Sequence, residues 1–179
     1  TATEVSDATV DGVEGSKVTG VSAVTPEVVA SEQPQQQEAA PPATANSPKA
    51  WGLLATPIGE FPLVNGVGTA SLNAGVGLLP STSKPGLGPV TVLAGHRSSG
   101  PEPFARFGEL TQGHQVQVET RNRVFTYELV RDWKIQEGEP LVLPPSTSEN
   151  DLLLVTCHPR WGAGERWIWK AELVDSQKK

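Results

Sequence analysis

The chain has one cysteine and no methionine in 179 residues, and its first fifty contain no Phe, Trp, Tyr, Leu or Ile. A single thiol excludes an internal disulfide, so the fold must stand on its apolar core rather than on covalent cross-links. No stretch reaches eighteen consecutive apolar residues, which excludes a transmembrane helix within the sequence. With no Met and Thr1 in first place, the expectation is a processed or truncated chain, with room for a signal or membrane anchor upstream. A basic excess is also missing. The formal charge is −6, and no concentrated run of Lys and Arg marks a nucleic-acid surface.

The aromatic and large aliphatic residues that are present divide the chain in two. All five Trp, all four Phe and the single Tyr lie from Trp51 onward. Residues 1–50 are rich in Ala, Glu, Gln, Pro, Ser and Thr, and carry seven acids against two lysines. Such a segment buries too little apolar surface to offset the entropy of ordering it, and reads as a disordered acidic linker. Residues 51–179 are long enough for one compact domain and nearly neutral, with 12 basic and 13 acidic side chains.

Within that domain the punctuation is dense and the apolar runs are short. Residues 51–55 and 58–64 read as strands broken by Pro57 and Pro62, and 69–74 as a single helical turn. Residues 75–89, full of Gly, Pro and Ser, read as a surface excursion. Residues 90–94 form a continuous apolar strand ending at Gly95-His96-Arg97, and 104–110 a short helix. Val116 and Val118 alternate with polar neighbours, a half-buried strand. A turn at 121–123 leads into 124–135, where Phe125, Tyr127, Leu129 and Trp133 share one parity. A long loop over 137–151 precedes strands at 152–157 and 165–174. Seven or eight short strands with little helix argue for an all-β barrel or sandwich.

The chemistry centres on Cys157, which ends the apolar run Leu152-Leu153-Leu154-Val155-Thr156 and precedes His158-Pro159. A cysteine attacks as thiolate, and an imidazole that can hold or return a proton assists it. His96 also stands at the C-terminal end of an apolar strand. If the two strands are parallel neighbours, both side chains emerge at one rim despite 61 residues of separation. Arg166, nine residues beyond Cys157, suits a return strand that brings a permanently charged fork of donors beside the thiol. His158 shares no parity with Cys157 and would face the other side of the strand. A zinc site built from Cys157, His158 and His96 lacks both the usual spacing and a fourth ligand, so no metal or cofactor is expected.

These segments resemble three motifs of the sortases: Val92-Leu93-Ala94-Gly95-His96-Arg97, Leu154-Val155-Thr156-Cys157-His158-Pro159 and Glu165-Arg166. Sortases are cysteine transpeptidases of Gram-positive bacteria built on an eight-stranded β-barrel. The Gly-His-Arg triplet and the Cys-His-Pro-Arg run are most similar to class E, the housekeeping group of actinobacteria. The resemblance covers residues 51–174 and implies a closed eight-stranded barrel with short helices. It implies Cys157 as nucleophile, His96 as the group that protonates the leaving amine, and Arg166 as the arginine that holds substrate and oxyanion. Thr156, Trp161 and Arg97 are the candidate substrate-binding residues, with Trp161 lining a peptide groove.

The implied reaction cleaves an LPXTG- or LAXTG-type sorting signal between Thr and Gly and passes the acyl group to an amine of a cell-wall precursor or pilin. The implied partners are sorting-signal-bearing surface proteins and that amine acceptor. The implied location is the outer face of the plasma membrane, reached through an N-terminal anchor. Ser98-Ser99-Gly100-Pro101 departs from class E, many of whose members carry a tyrosine there. No acidic cluster resembles the calcium site of some class A enzymes. Two other readings are a cysteine peptidase that hydrolyses its thioester and a catalytically idle peptide-binding barrel. A cysteine–histidine pair titrating at ordinary values is only ~1% thiolate–imidazolium at neutral pH, which implies slow turnover.

Overall fold

A computed structural model describes residues 48–142, 150–162 and 164–179. The linker expected over residues 1–50 lies outside them except for its last three residues. Eight strands form one closed barrel in the order β1-β2-β3-β4-β7-β8-β6-β5, with β5 returning to β1. They are β1 Gly52–Thr56, β2 Gly59–Asn65, β3 Val76–Leu78, β4 Val90–Ala94, β5 Gln115–Thr120, β6 Arg123–Gln136, β7 Asp151–His158 and β8 Glu165–Lys178. One α-helical turn, α1, spans Thr69–Ala74, and a 3₁₀ turn spans Phe107–Glu109. Among the described residues no helix is long and apolar enough to cross a membrane.

Alternation along the strands supplies two apolar layers. Leu152 and Leu154 of β7 point inward with Leu54, Leu63, Tyr127 and Leu129, all fully buried. Leu153 and Val155 point outward and join Val92 and Ile168 in a second, smaller cluster covered by Trp133, Ile135 and Leu141. That outer cluster is the ground on which the site described below is built.

Four expectations change. Pro62 does not interrupt β2, because β3 joins only from Leu63 onward and the proline sits where β2 still has one neighbour. The stretch 75–89 contains a strand after all: Val76, Gly77 and Leu78 are buried between β2 and β4. Gly77 is required there, since a Cβ would stand 2.1 Å from the carbonyl oxygen of Gly66. A bulge between Leu129 and Arg131 shifts the β6 register, so Trp133 leaves the parity of Phe125, Tyr127 and Leu129 and packs in the outer cluster. The helix expected over 104–110 is reduced to turns and the 3₁₀ segment, with Phe104 and Phe107 buried in the barrel mouth.

Candidate active site at the rim of strands β4, β7 and β8

β4 and β7 pair in parallel from Val90–Asp151 to Ala94–Val155. The residues that follow on each strand therefore leave the sheet side by side, placing His96 and Cys157 at one rim. β7 and β8 pair antiparallel, and Cys157 stands directly opposite Arg166 in the register. His96, Cys157 and Arg166 line one cleft of about 470 Å³. Its floor is the outer apolar cluster, with Val92, Val155 and Ile168; Ile135 and Leu141 wall one side and Leu72 of α1 another. Cys157 is partly exposed, as a nucleophile must be.

The backbone that carries His96 is held at three points. Gly95 donates its N–H to the Val155 carbonyl at 3.1 Å, and the Gly95 carbonyl accepts the Thr156 hydroxyl at 2.8 Å. The His96 carbonyl accepts from the Phe104 amide at 3.0 Å. Gly95 has no room for a side chain, because a Cβ would lie 2.7 Å from the Phe104 ring. Gly100, at φ 61°, lets the following loop turn close to Asn73 and the His96 ring.

Arg166 is engaged from two sides within its own wall. Its Nη2 donates to a Glu137 carboxylate oxygen in a short ion pair, and its Nη1 to the Glu165 carbonyl at 3.3 Å. The Glu137 amide is in turn bonded to the Gly164 carbonyl at 2.9 Å. Glu137 carries no motif and no periodicity, and only the pairing of β6 with β8 reveals it.

The other candidates separate. Thr156 lines the cleft but is buried at 3% exposure, and its hydroxyl is committed to Gly95, so it ties the two strands beneath the site. Arg97 does not line the cleft. Its guanidinium packs over the Trp167 ring at 4.9 Å and donates to His158 Nδ1 at 2.9 Å. The reason is alternation: His158 and Trp167 sit on the face opposite Cys157 and Arg166. Trp161 also stands apart from the cleft, 77% exposed, with the Arg160 guanidinium 5.1 Å from its ring centre. His158 faces away from the thiol, as its parity requires, and its ring meets Trp167 edge-on at 5.3 Å. Burial, then the nearby Lys134 and Arg97 charges, hold the His158 imidazole below the ordinary histidine range, outweighing Glu165. A guanidinium can only donate, so His158 Nδ1 is the acceptor in its contact with Arg97. Burial and the Arg160 charge likewise lower Arg97.

Chemically, the cleft joins a partly exposed thiol, an imidazole and a guanidinium above an aliphatic floor. That set can bind an extended apolar peptide and attack a carbonyl beside a cationic donor.

Known proteins share this fold. A family model described as a sortase domain matches residues 56–174. Sortase D of Bacillus subtilis (strain 168) is 31% identical over 113 residues, a match covering 62% of this chain and 56% of that protein. The chain thus spans little more than half the length of that relative. Sortase E from Streptomyces avermitilis has a similar structure, with TM-score 0.63 and 27% identity over 73% of this chain and 91% of that one. The SrtF sortase from Corynebacterium diphtheriae shares the fold at TM-score 0.65 and 22% identity, over 79% of this chain and 94% of the other. With the family match running through nearly the whole barrel, including both strand ends that carry His96 and Cys157, this chain belongs to the sortase family.

Proposed function

We propose that this chain is a cysteine transpeptidase acting on C-terminal sorting signals of LPXTG or LAXTG type. The Cys157 thiolate attacks the carbonyl carbon of the Thr–Gly bond, forming a C–S bond. As the tetrahedral intermediate collapses, the C–N bond breaks, and His96 gives its proton to the departing glycine amine. The product is a thioester on Cys157. An amine of a cell-wall precursor or pilin then loses a proton to His96, attacks the thioester carbonyl and expels the thiolate. Arg166 donates to the carbonyl oxygen while it carries negative charge.

The observation that carries this reading is the register itself. A parallel β4–β7 pair and an antiparallel β7–β8 pair put His96, Cys157 and Arg166 around one cleft although the sequence scatters them. The aliphatic floor suits the Leu of a sorting motif. Thr156 acts by positioning the His96 and Cys157 backbones. In this reading the enzyme works at the outer face of the plasma membrane, with residues 1–50 as a linker from an anchor. The partners are surface proteins bearing the signal.

Mass spectrometry after incubation with LPXTG and LAXTG peptides, with and without an amine acceptor, tests it. Ligated product exceeding hydrolysed product in the presence of amine is the expected result. Hydrolysis that dominates under every condition overturns the transferase step.

A further inference from the structure

Twelve residues beyond Arg166 along β8, roughly 40 Å of strand, a second cavity of about 910 Å³ opens at the other end of the barrel. The 84–87 loop, the start of β1, the β5–β6 turn and the end of β8 enclose it. Lys84, Arg121, Arg123, Lys178 and Lys179 all line it, five of the 12 basic residues from Trp51 onward. In sequence they are dispersed over nearly a hundred positions, and only closure of the barrel gathers them. Among the described residues one acidic side chain, Glu119, is ion-paired with this group, through Lys179. With Glu119 set against them, four positive side-chain charges remain in excess on a domain that is otherwise net negative.

The cavity is shaped rather than a loose patch. Gly86, at φ 74°, seats the loop on Phe125, where a Cβ would stand 3.0 Å from the ring. Thr120 bonds both the amide and the carbonyl of Arg123, at 3.1 and 3.0 Å, fixing the turn. The Lys179 amide bonds the Asn122 carbonyl at 3.0 Å and closes the end of β8 onto that turn. Trp51 forms part of the wall, with the Lys84 ammonium 4.6 Å from its ring centre. Its indole N–H is buried without a hydrogen-bond partner among the described residues. Arg121 and Lys178 are exposed, and no side-chain hydrogen bond or ion pair occupies either among the described residues. Leu87, 76% exposed, forms an apolar rim beside them.

Concave surfaces of one charge sign concentrate counter-ions, and guanidinium forks match phosphate oxygens in geometry. We propose that this cavity binds a phosphate-bearing ligand, gripped by Arg121, Arg123, Lys84 and Lys178 with an apolar portion against Trp51 and Leu87. The same phosphate chemistry is offered by a soluble phosphate ester and by a phospholipid headgroup.

Amide and indole chemical shifts of the protein, titrated with inorganic phosphate and with glycerol phosphate at about 150 mM salt, test the proposal. Sedimentation with phosphatidylcholine vesicles containing about 30% phosphatidylglycerol identifies the source. Saturable shifts at Trp51, Arg121 and Lys178 with the soluble ligands point to a free phosphate ester. Vesicle binding without them points to a headgroup. Arg121→Ala/Lys178→Ala should weaken the observed binding at least about tenfold, whereas Arg106→Ala/Arg131→Ala, the same loss of charge elsewhere, should change it less than about twofold. Neither soluble ligand nor vesicle binding, or equal losses in the two double variants, overturns the proposal. Sorting-peptide turnover should be unchanged in both, since none of the four residues touches the cleft.

Discussion

The hydroxyl of Thr156 donates to the carbonyl oxygen of Gly95 at 2.8 Å, so the residue before the cysteine is bonded to the residue before the histidine. Both members of that bond are buried. Thr156→Val keeps the volume and removes the donor, leaving the Gly95 carbonyl short of a partner. A lost buried hydrogen bond costs about 1 kcal/mol, which for a domain of this size lowers Tm by about 3–5 °C. Because His96 follows directly, we expect kcat for sorting-peptide cleavage to drop about tenfold, with KM little changed. Thr156→Ser should restore most of both. Equal kcat in the Val variant and the parent would show that the bond does not position the histidine.

Arg166 faces Cys157 across β7 and β8 while paired with Glu137. Glu137 is about half exposed, at 53%, so this pair contributes at most about 1 kcal/mol. Glu137→Gln should therefore raise KM no more than about fivefold. Arg166→Ala, which removes the cation from the reacting carbonyl, should cut kcat/KM by at least about a hundredfold. Steady-state kinetics on one sorting peptide separates the two. Similar losses in both variants would mean that Arg166 serves only the ion pair.

His158 is held below the ordinary histidine range chiefly by burial, then by the Lys134 and Arg97 charges. The unfolded chain therefore takes up its proton first as the pH falls. The stability tied to neutral His158 is complete above the ordinary range, near 6.5, and declines as pH drops through and below it. Protonation would also remove the acceptor for Arg97, whose Nη1 lies 2.9 Å from His158 Nδ1. Urea midpoints measured between about pH 8 and pH 5 should decline more steeply in the parent than in His158→Gln. Parallel slopes would contradict this assignment.

Lys170 is 3% exposed and sits 3.4 Å from Asp151 and 2.9 Å from Glu172. Asp151 keeps a second buried oxygen without a partner among the described residues. Removing the lysine leaves that carboxylate uncompensated, so Lys170→Met should destabilise by about 3 kcal/mol or more. Asp151→Asn in the same chain should recover a large part, as thermal denaturation would show. Additive losses would rule out coupling between the two.

Legibility followed the period of the strands. The ends of β4 and β7 could be read because both are unbroken apolar runs, and the side-by-side exit of His96 and Cys157 then needed only parallel pairing. Parity also separated His158 from Cys157. It misled at Trp133, because one extra residue near Val130 reverses faces and no composition signal marks a bulge. Strand β3 was hidden because its middle residue is Gly77, chosen for close approach rather than for β-propensity. Arg97 was drawn into the substrate set by its place in the triplet, yet its neighbours Trp167 and His158 are set by strand pairing. Glu137 and the five-cation cavity depend on contacts between distant segments, which no local pattern encodes.

The central claim is that Cys157 attacks the threonyl carbonyl with His96 and Arg166 beside it. The most direct measurement is the intact mass of the protein after exposure to a sorting peptide without an amine acceptor. The account predicts an adduct equal to the peptide up to its threonine, mapped to Cys157, absent in Cys157→Ala and discharged by an added amine. No adduct with either LPXTG or LAXTG peptide, or peptide cleavage that persists in Cys157→Ala, would contradict it.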